Sequence, residues 1–237
     1  MKKIIGVVSI ALLSQMSAFA QSSTEKKEKD EEVRKPSRDF VMIQLSTDHW
    51  NNLSDDKINT SGLGRGFNAY LCYDFAIGQK ENSHVSFAIG IGISSSNIYF
   101  DKQLPNLRNT NDYVNFVDRP SNEKCHKFST SYLEAPLELR FFSNNMNRNR
   151  GFKFAIGAKV GMLVDAHLKY KEPVSGVFMA VKESNRSFNQ TWRLSPTARV
   201  GWGNFSIFAQ YSVTQVFKTN VGPKINPFSI GLTISGL

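Results

Sequence analysis

The feature that most constrains this chain is a period-two alternation of apolar and polar residues, which recurs in eight separate segments. In residues 129–142, STSYLEAPLELRFF, the odd positions from 133 onward are apolar, whereas Glu134, Glu138 and Arg140 occupy even positions. Because successive side chains of a β-strand point to opposite faces, this segment forms a strand with one apolar and one charged face. Helical periodicity is convincing nowhere in the chain, so the pattern predicts an all-β fold.

Two kinds of connection separate the eight predicted strands. The alternating segments cover residues 41–46, 67–75, 85–94, 129–142, 152–165, 192–202, 205–213 and 228–235. The connections alternate between long ones, at 47–64, 96–127, 166–190 and 214–226, and short ones, at 77–83, 143–151 and 203–204. Long loops at one end and short turns at the other are typical of an antiparallel up-and-down barrel in an outer membrane.

Alternation alone leaves open which face of such a barrel is inside. A soluble barrel of the lipocalin kind would bury the apolar face, whereas a membrane barrel turns it toward lipid. About five apolar positions per strand suit the roughly 9–11 residues that cross a bilayer. The polar face also carries small residues that suit a crowded lumen, namely Ala88, Gly90, Gly92, Gly157, Gly161 and Gly231. Aromatic residues near the strand ends suit interfacial girdles, namely Trp192, Trp202, Phe152, Phe67, Tyr211 and Phe228.

These features predict that residues 39–237 form an eight-stranded antiparallel up-and-down transmembrane β-barrel with a polar lumen filled by side chains. The alternative is an exported soluble barrel that binds a small apolar ligand. In the membrane barrel, the following charged residues are expected to form a structural lumen network: Glu134, Glu138, Arg140, Lys159, Asp165, Arg193 and Arg199. Asp74 and Gln210 are expected to point the same way. Eight strands leave an interior just wide enough for side chains, so these groups should pair and leave no wide pore.

The amino-terminal residues predict export. Two lysines precede an apolar run at 4–13, and Ala18-Phe19-Ala20 supplies a cleavage pattern, so residues 1–20 are interpreted as a signal peptide. An uncleaved membrane anchor is the alternative, although the run is short for a span. Residues 21–38 are rich in charges of both signs and have no apolar face. They are expected to be a disordered periplasmic tether.

Charge and cysteine content limit the partners and the covalent cross-links. Removal of the signal would leave 27 Lys plus Arg against 20 Asp plus Glu, an excess of seven. This balance suits anionic lipid or lipopolysaccharide, but the basic residues are scattered without the stripe that nucleic-acid binding requires, so no nucleic-acid partner is expected. Two cysteines permit one disulfide at most. Cys72 falls in a predicted strand and Cys125 in a loop, so pairing is possible but not required.

Three segments of the chain resemble the PorT-like outer-membrane β-barrel family of Bacteroidota. They are SYLEAPLELRF at 131–141, GFKFAIGAKVGMLVDAHLKYK at 151–171 and INPFSIGLTISGL at 225–237. The resemblance covers most of residues 39–237 and rests on barrel strands rather than on an active-site signature. It implies an outer-membrane location in a Gram-negative bacterium, with extracellular loops and periplasmic termini. The best-known member of that family is tied to assembly of a type IX secretion system, which implies envelope or secretion-system proteins as partners.

An enzymatic role is the least favoured of the functions considered. Asp165 and His167 would both point inward near the top of the fifth strand, where a carboxylate-oriented histidine could act as a general base in a rim-located hydrolase. Asp48-His49 and Asp55-Asp56 are further acidic and histidine positions at this end. A rim ion pair explains Asp165 and His167 equally well, and eight strands leave little cleft. His84 and His126 have no partner at metal-ligand spacing, so neither a metal nor a cofactor is expected.

Binding by the loops is the remaining alternative. Loops 96–127 and 166–190 are long and place aromatic residues among charged ones: Tyr99, Phe100, Tyr113, Phe116, Tyr170 and Phe178. Long loops on a rigid scaffold often carry recognition, but they also serve to cap a barrel. The sequence therefore predicts a monomeric outer-membrane barrel, in contact with membrane lipid, with a structural, assembly or surface-interaction role.

Overall fold

The computed structural model describes residues 39–52, 58–78, 83–107, 113–120, 123–144 and 150–236. The predicted signal peptide and tether lie outside these residues, as do Asp55 and Asp56. The strands are β1 (Asp39–Asn52), β2 (Gly64–Ala76), β3 (Val85–Tyr99), β4 (Gln103–Pro105), β5 (Phe116–Asp118), β6 (Lys124–Phe142), β7 (Phe152–Val174), β8 (Val177–Ser184), β9 (Trp192–Trp202), β10 (Phe205–Tyr211) and β11 (Ile225–Ser235). Among the described residues, no helix is long and apolar enough to span a membrane.

Eight of these strands form a closed antiparallel ring. The order around the sheet is β6-β3-β2-β1-β11-β10-β9-β7, and a further pairing of β6 with β7 closes it. Strand β8 pairs only with the upper part of β7, and β4 pairs with β5 in a separate two-stranded sheet. The predicted eight-stranded antiparallel barrel is therefore confirmed.

The two ends of the barrel differ in their connections. Short turns join β2 to β3, β6 to β7 and β9 to β10, and we call this the turn end. Met42 near the start of β1 pairs with Ser235 near the end of β11, so both termini of the barrel also lie at the turn end. The four long connections lie at the opposite end, which we call the loop end.

Side-chain burial in the ring fixes which face is inside. Along β2, Leu71 is 64% exposed, whereas its neighbours Tyr70 and Cys72 are 1% and 5% exposed. The same alternation runs along β9, where Arg193 and Arg199 are buried and the apolar neighbours are exposed. The apolar face therefore points outward and the polar face inward. The soluble-barrel alternative, which requires the reverse, is wrong.

Exposed aromatic residues gather near the turn end on the outer face. The register places Trp202 between Phe152 and Phe205 on neighbouring strands, and pairs Phe141 with Phe154. Trp202 is 70% exposed and Phe205 is 66% exposed. Aromatic rings of this kind are enriched where a membrane barrel meets the interface.

The walls extend further at the loop end than the sequence pattern predicts. Strands β6 and β7 have 19 and 23 residues and remain paired over most of their length. The upper part of β7 also forms a hairpin with β8, so much of the predicted loop 166–190 is strand. Likewise, the end of predicted loop 96–127 belongs to β6.

A bulge in β7 changes which residues face inward. Tyr132 pairs with Leu163 and Ser131 pairs with Asp165, so Val164 is an extra residue. A bulge of this kind shifts the alternation of the bulged strand by one position. Below the bulge the odd residues of β7 face inward, and above it the even residues do.

Above the lumen, the loop end holds an apolar core, which we call the cap. Its buried members are Ile98, Phe100, Leu104, Leu107, Val114, Phe128, Tyr132, Leu163, Ala166, Leu168, Tyr170, Val216, Phe217 and Ile225. Trp50 packs edge-on against the rings of Phe100 and Phe128, with centroids 5.4 and 5.7 Å away. It also contacts the rings of Phe116 and Phe217. The cap closes the loop end of the barrel with the packing of an ordinary protein interior.

Candidate functional site

The lower part of the lumen holds four charged side chains in one network. Glu138 accepts hydrogen bonds from Arg140 Nε at 2.8 Å and from Arg199 Nη2 at 2.7 Å. Arg140 Nη1 donates to Asp74 Oδ1 at 2.7 Å. The strands place these groups together because β6 supplies Glu138 and Arg140, while β2 and β9 lie two strands away from β6 on either side of the ring. All four side chains are almost fully buried.

A second cluster lies higher in the lumen around Glu134. The carboxylate accepts hydrogen bonds from Tyr70 Oη at 2.6 Å and from Arg193 Nη2 at 2.5 Å. Arg193 also donates to Ser94 Oγ at 2.9 Å, and its guanidinium lies 3.8 Å from the centroid of the Tyr132 ring. The cluster therefore joins β2, β3, β6 and β9 across the interior.

Lys159 occupies the centre of the lumen and is fully buried. Its Nζ donates to Gln44 Oε1 at 2.6 Å and to Gln210 Oε1 at 2.8 Å. The ammonium group also lies 4.8 Å from the centroid of the Tyr70 ring and 5.2 Å from that of Phe208. Amide oxygens and aromatic faces thus replace the water that a lysine normally keeps.

Two glycines show how tightly the lumen is filled. A Cβ at Gly161 would lie 3.0 Å from Cγ of Glu134. At Gly92, a Cβ would lie 2.6 Å from Cδ1 of Tyr70 and 2.0 Å from the carbonyl oxygen of Ala69. Small residues on the inner face therefore leave the space that the charged and aromatic side chains of neighbouring strands fill.

The space left between the network and the cap is small. A cavity of about 20 Å³ lies between these two layers, with Asp48, Ser96 and Arg193 in its wall. This is room for about one water molecule. Asp48 accepts hydrogen bonds from Ser46 Oγ at 2.7 Å and Ser96 Oγ at 2.5 Å, so its carboxylate is held in the wall of this cavity.

The lumen contains six of the seven residues that the sequence assigned to the network. The structure brings together Glu134, Glu138, Arg140, Lys159, Arg193 and Arg199. Sequence reasoning missed the roles of Tyr70 and Gln44, since their inward orientation follows from alternation but their partners depend on the register between strands. Asp165 differs from the prediction, because the bulge at Val164 moves it out of the lumen.

Asp165 and His167 form a pair on the outer wall above the bulge. His167 Nδ1 lies 2.7 Å from Asp165 Oδ2, and their side chains are 17% and 37% exposed respectively. Ser184 Oγ donates to Asp165 at 3.3 Å, and Lys182 Nζ lies 4.0 Å away. Partial burial raises the pKa of Asp165, but the His167 hydrogen bond and the charges of His167 and Lys182 outweigh it and hold that pKa below its ordinary value. The pair faces outward, so the predicted inward-facing rim site is absent from this part of β7.

The other predicted loop and metal candidates are dispersed. Phe100 and Tyr170 are buried in the cap, whereas Tyr113 and Phe178 remain exposed. His49 is exposed beside buried Asp48. Within the described ranges, no group of three or more His, Cys, Asp or Glu residues is placed to hold a metal ion. The two cysteines are free, Cys72 being buried and Cys125 exposed.

A family model for the outer membrane protein beta-barrel domain matches residues 42–236. The chain belongs to this outer-membrane β-barrel family. The match runs from Met42 in β1 to beyond the end of β11, and it therefore includes both the lumen network and the cap. A comparison with curated protein sequences finds no match.

Solved structures of two bacterial surface proteins are similar to this outer-membrane barrel. Neisserial surface protein A (NspA) is 13% identical, with a TM-score of 0.39, over 84% of this chain and 96% of the other. Ail, the attachment invasion locus protein of Yersinia pestis, is 14% identical, with a TM-score of 0.36, over 84% and 98%. Ail has also been crystallised with the heparin analogue sucrose octasulfate, and that structure is 12% identical with a TM-score of 0.36 over the same shares.

Proposed function

We propose that this protein is a closed, non-enzymatic outer-membrane barrel with a structural, assembly or surface-interaction role. The observation that carries the proposal is the doubly blocked interior. A buried ion-pair network fills the lumen, and an apolar cap covers it at the loop end. A barrel blocked in this way offers no path for a solute, so its activity lies on its surfaces.

The proposed orientation places the loop end outside the cell and both termini in the periplasm. The positions of the termini at the turn end support it, since outer-membrane barrels have short periplasmic turns and longer extracellular loops. Residues 1–20 would then be the removed signal peptide, and 21–38 a periplasmic tether. On this proposal the protein is a PorT-like member from a Gram-negative bacterium of the Bacteroidota, monomeric in the membrane, with envelope or secretion-system proteins as partners.

The loop end carries the surface that best suits such an interaction. An open groove of about 820 Å³ is lined by Tyr113 from loop 96–127, by Gln190 from loop 166–190, and by residues that follow β10, including Thr219 and Lys224. Three loops therefore contribute to one polar groove beside the cap. Each of the two loops that the sequence favoured for binding contributes one residue, and the rest of the lining comes from residues 213–224, which the sequence did not favour.

The absence of enzymatic activity is part of the proposal. Asp165 and His167 lie on the outer wall of β7, where Ser184 and Lys182 already contact the carboxylate. A hydrolase requires a cleft that holds substrate against its general base. We expect Asp165→Asn to leave any binding in the loop-end groove unchanged, because Asp165 does not line that groove.

Gel mobility and conductance together test the proposal. Mature protein from washed outer membranes should migrate as a compact, fast band in detergent and shift only after boiling. The same protein in a planar bilayer should show no steady conductance. A stable open channel would contradict the closed barrel, and recovery in the soluble periplasmic fraction without a heat shift would contradict the membrane location.

A further inference from the structure

The outer wall above the bulge carries lysines placed directly opposite one another. The register pairs Lys127 on β6 with Lys169 on β7, and Lys169 with Lys182 on β8. One step further from the barrel, Lys124 on β6 pairs with Lys171 on β7. Like charges directly opposite each other destabilise a sheet. Two successive rows of this kind are therefore unfavourable unless other groups compensate them. In the outer row, Lys124 Nζ lies 4.5 Å from the centroid of the Phe178 ring.

The protein itself supplies little compensation for the first row. Lys127 Nζ donates to Asn97 Oδ1, a neutral acceptor, at 2.9 Å. Among the described residues, Asp165 is the acidic residue that pairs with a lysine of this row: its carboxylate lies 4.0 Å from Lys182 Nζ. The same carboxylate also binds His167. Burial together with the charge of Lys169 holds the pKa of Lys127 below its ordinary value. A bound anion would reduce the repulsion between the paired lysines and would raise the pKa of Lys127 toward its ordinary value.

The lysine rows lie on the same strands as the lipid-facing belt, beyond it toward the loop end. Leu133, Met162 and Trp192 are paired neighbours on β6, β7 and β9 and are 39%, 39% and 59% exposed. Lys127 lies six residues beyond Leu133 on β6, which is about 20 Å along the strand. With a strand tilt of about 40°, the row stands about 15 Å above that part of the belt.

This height distinguishes between classes of lipid headgroup. The polar region of a phospholipid leaflet is only about 5–8 Å thick. Lysines about 15 Å above the belt therefore lie beyond simple phosphate headgroups and at the level of a larger saccharide headgroup. Tyr99, which pairs with Lys127, adds a partly buried aromatic ring to the same wall, and Arg65 lies 5.8 Å from its centroid.

We propose that Lys127, Lys169 and Lys182 bind the phosphate groups of a phosphorylated saccharide glycolipid whose acyl chains pack on the belt below. The inference rests on the proposed outer-membrane location, with the loop end outward. Neighbouring strands lie about 4.8 Å apart, so the three ammonium groups span a width that suits one sugar phosphate group or two adjacent ones. Lys124 and Lys171 extend the same charge outward toward the rest of the saccharide. The lysine rows lie on the outer wall of the same strands that carry the apolar belt, and this shared wall favours a lipid over a soluble polyanion.

The test uses the full mature chain in phosphatidylcholine nanodiscs, titrated with a fluorescent diphosphorylated glucosamine-disaccharide lipid. The variant carries Lys127→Gln, Lys169→Gln and Lys182→Gln together. The matched control carries Lys102→Gln, Lys218→Gln and Arg150→Gln, three exposed cations that lie away from the rows and do not line the loop-end groove. We expect the row variant to lose at least tenfold in affinity, the control to lose less than twofold, and the dephosphorylated lipid to bind all three proteins weakly.

Several results would overturn the assignment. Equal losses of affinity in both variants would indicate general charge attraction. No loss of affinity in either variant would show that the three lysines do not form the binding site. If the deacylated, soluble sugar phosphate bound as tightly as the lipid, the ligand would be a free polyanion and not a glycolipid. A heat-shifted compact band for each variant establishes that the barrel is folded. If the native chain were absent from outer-membrane fractions, the proposed function would fail, whatever the nanodisc titration showed.

Discussion

The walls of this barrel have opposite polarity below and above the bulge. Below it, the inner face carries charges such as Glu134, and the outer face carries apolar side chains such as Leu133. Above it, the inner face carries Phe128 and Leu168, and the outer face carries Lys127 and other lysines. The same two strands, β6 and β7, contribute to both arrangements.

The surroundings of each part explain the inversion. In the span, lipid favours apolar side chains outside, and polar groups must find partners inside. Above the span, water favours charges outside, and the hydrophobic effect gathers apolar side chains into the cap. On β6 the outward face changes from Leu133 to Lys127 without a break, whereas β7 changes phase through the extra residue Val164. The contrast therefore predicts that the two parts respond differently to substitution.

The largest expected effect comes from breaking the network in the lumen. Glu138→Gln removes the carboxylate that Arg140 and Arg199 share, and breaking a buried ion pair costs about 3–5 kcal/mol. Urea unfolding of the protein in detergent, followed by the heat-shifted gel band, measures this loss. Glu172→Gln, near the tip of the β7–β8 hairpin, is the matched control and should change stability by less than about 0.5 kcal/mol. Equal stability of the two variants would show that the lumen charges contribute little.

A smaller effect is expected in the cap. Trp50→Ala removes a half-buried ring that contacts four phenylalanine rings, and we expect a loss of about 2–3 kcal/mol confined to the loop end. Limited proteolysis should cut the loops sooner, while the compact gel band of the barrel persists. Trp192→Ala, on the lipid-facing belt, is the control for loss of a tryptophan elsewhere. Simultaneous loss of the compact band would mean that cap and barrel unfold as one unit.

Overfilling the lumen should have an effect of similar or lesser size. Gly92→Val adds a Cβ that meets Tyr70 and the backbone of Ala69, together with two methyl groups, and overpacking of this kind costs about 1–3 kcal/mol. Ala69→Val adds two methyl groups on the opposite, outward side of the neighbouring strand, where lipid can adapt. Urea midpoints of the two variants should therefore differ, with Gly92→Val the less stable. Equal midpoints would argue against a tightly filled lumen.

Much of the barrel was predictable because alternation along a strand of a closed sheet assigns each residue to either the inner or the outer face. Eight alternating segments gave eight strands, and inward positions such as Glu138 and Arg199 followed from period two alone. Which inward groups touch depends on the shear between strands, so the contact of Tyr70 with Glu134 was not predictable. The apolar pattern excludes a slip of one residue, which would turn every side chain to the other face, but a slip of two residues leaves the pattern unchanged.

The loop end was less predictable because the alternation of β7 shifts by one residue there, and because apolar side chains there face inward instead of outward. Three successive apolar residues, Met162, Leu163 and Val164, interrupt the alternation of β7, and this interruption marks the bulge that reverses Asp165 and His167. The cap combines aromatic residues that lie far apart in sequence, such as Trp50 and Phe217. Scattered aromatics in loops suit binding as well as packing, so their burial could be learned only from the fold.

The smallest expected effect concerns repulsion among the lysines when no glycolipid is present. Lys169→Gln removes the charge opposite Lys127, so the pKa of Lys127 should rise toward its ordinary value of 10.5 and stability at low salt should increase by about 0.5 kcal/mol. A lysine whose folded pKa is lowered disfavours folding while it is charged, so native stability should rise as the pH passes through that lowered pKa toward 10.5. The variant should show a smaller rise. Urea midpoints in uncharged detergent, measured at about pH 8 and about pH 10, with and without added salt, compare the two proteins. Identical pH dependence at low salt would show that burial alone lowers the pKa of Lys127. In that case the opposed lysines would not repel strongly enough to need a phosphate.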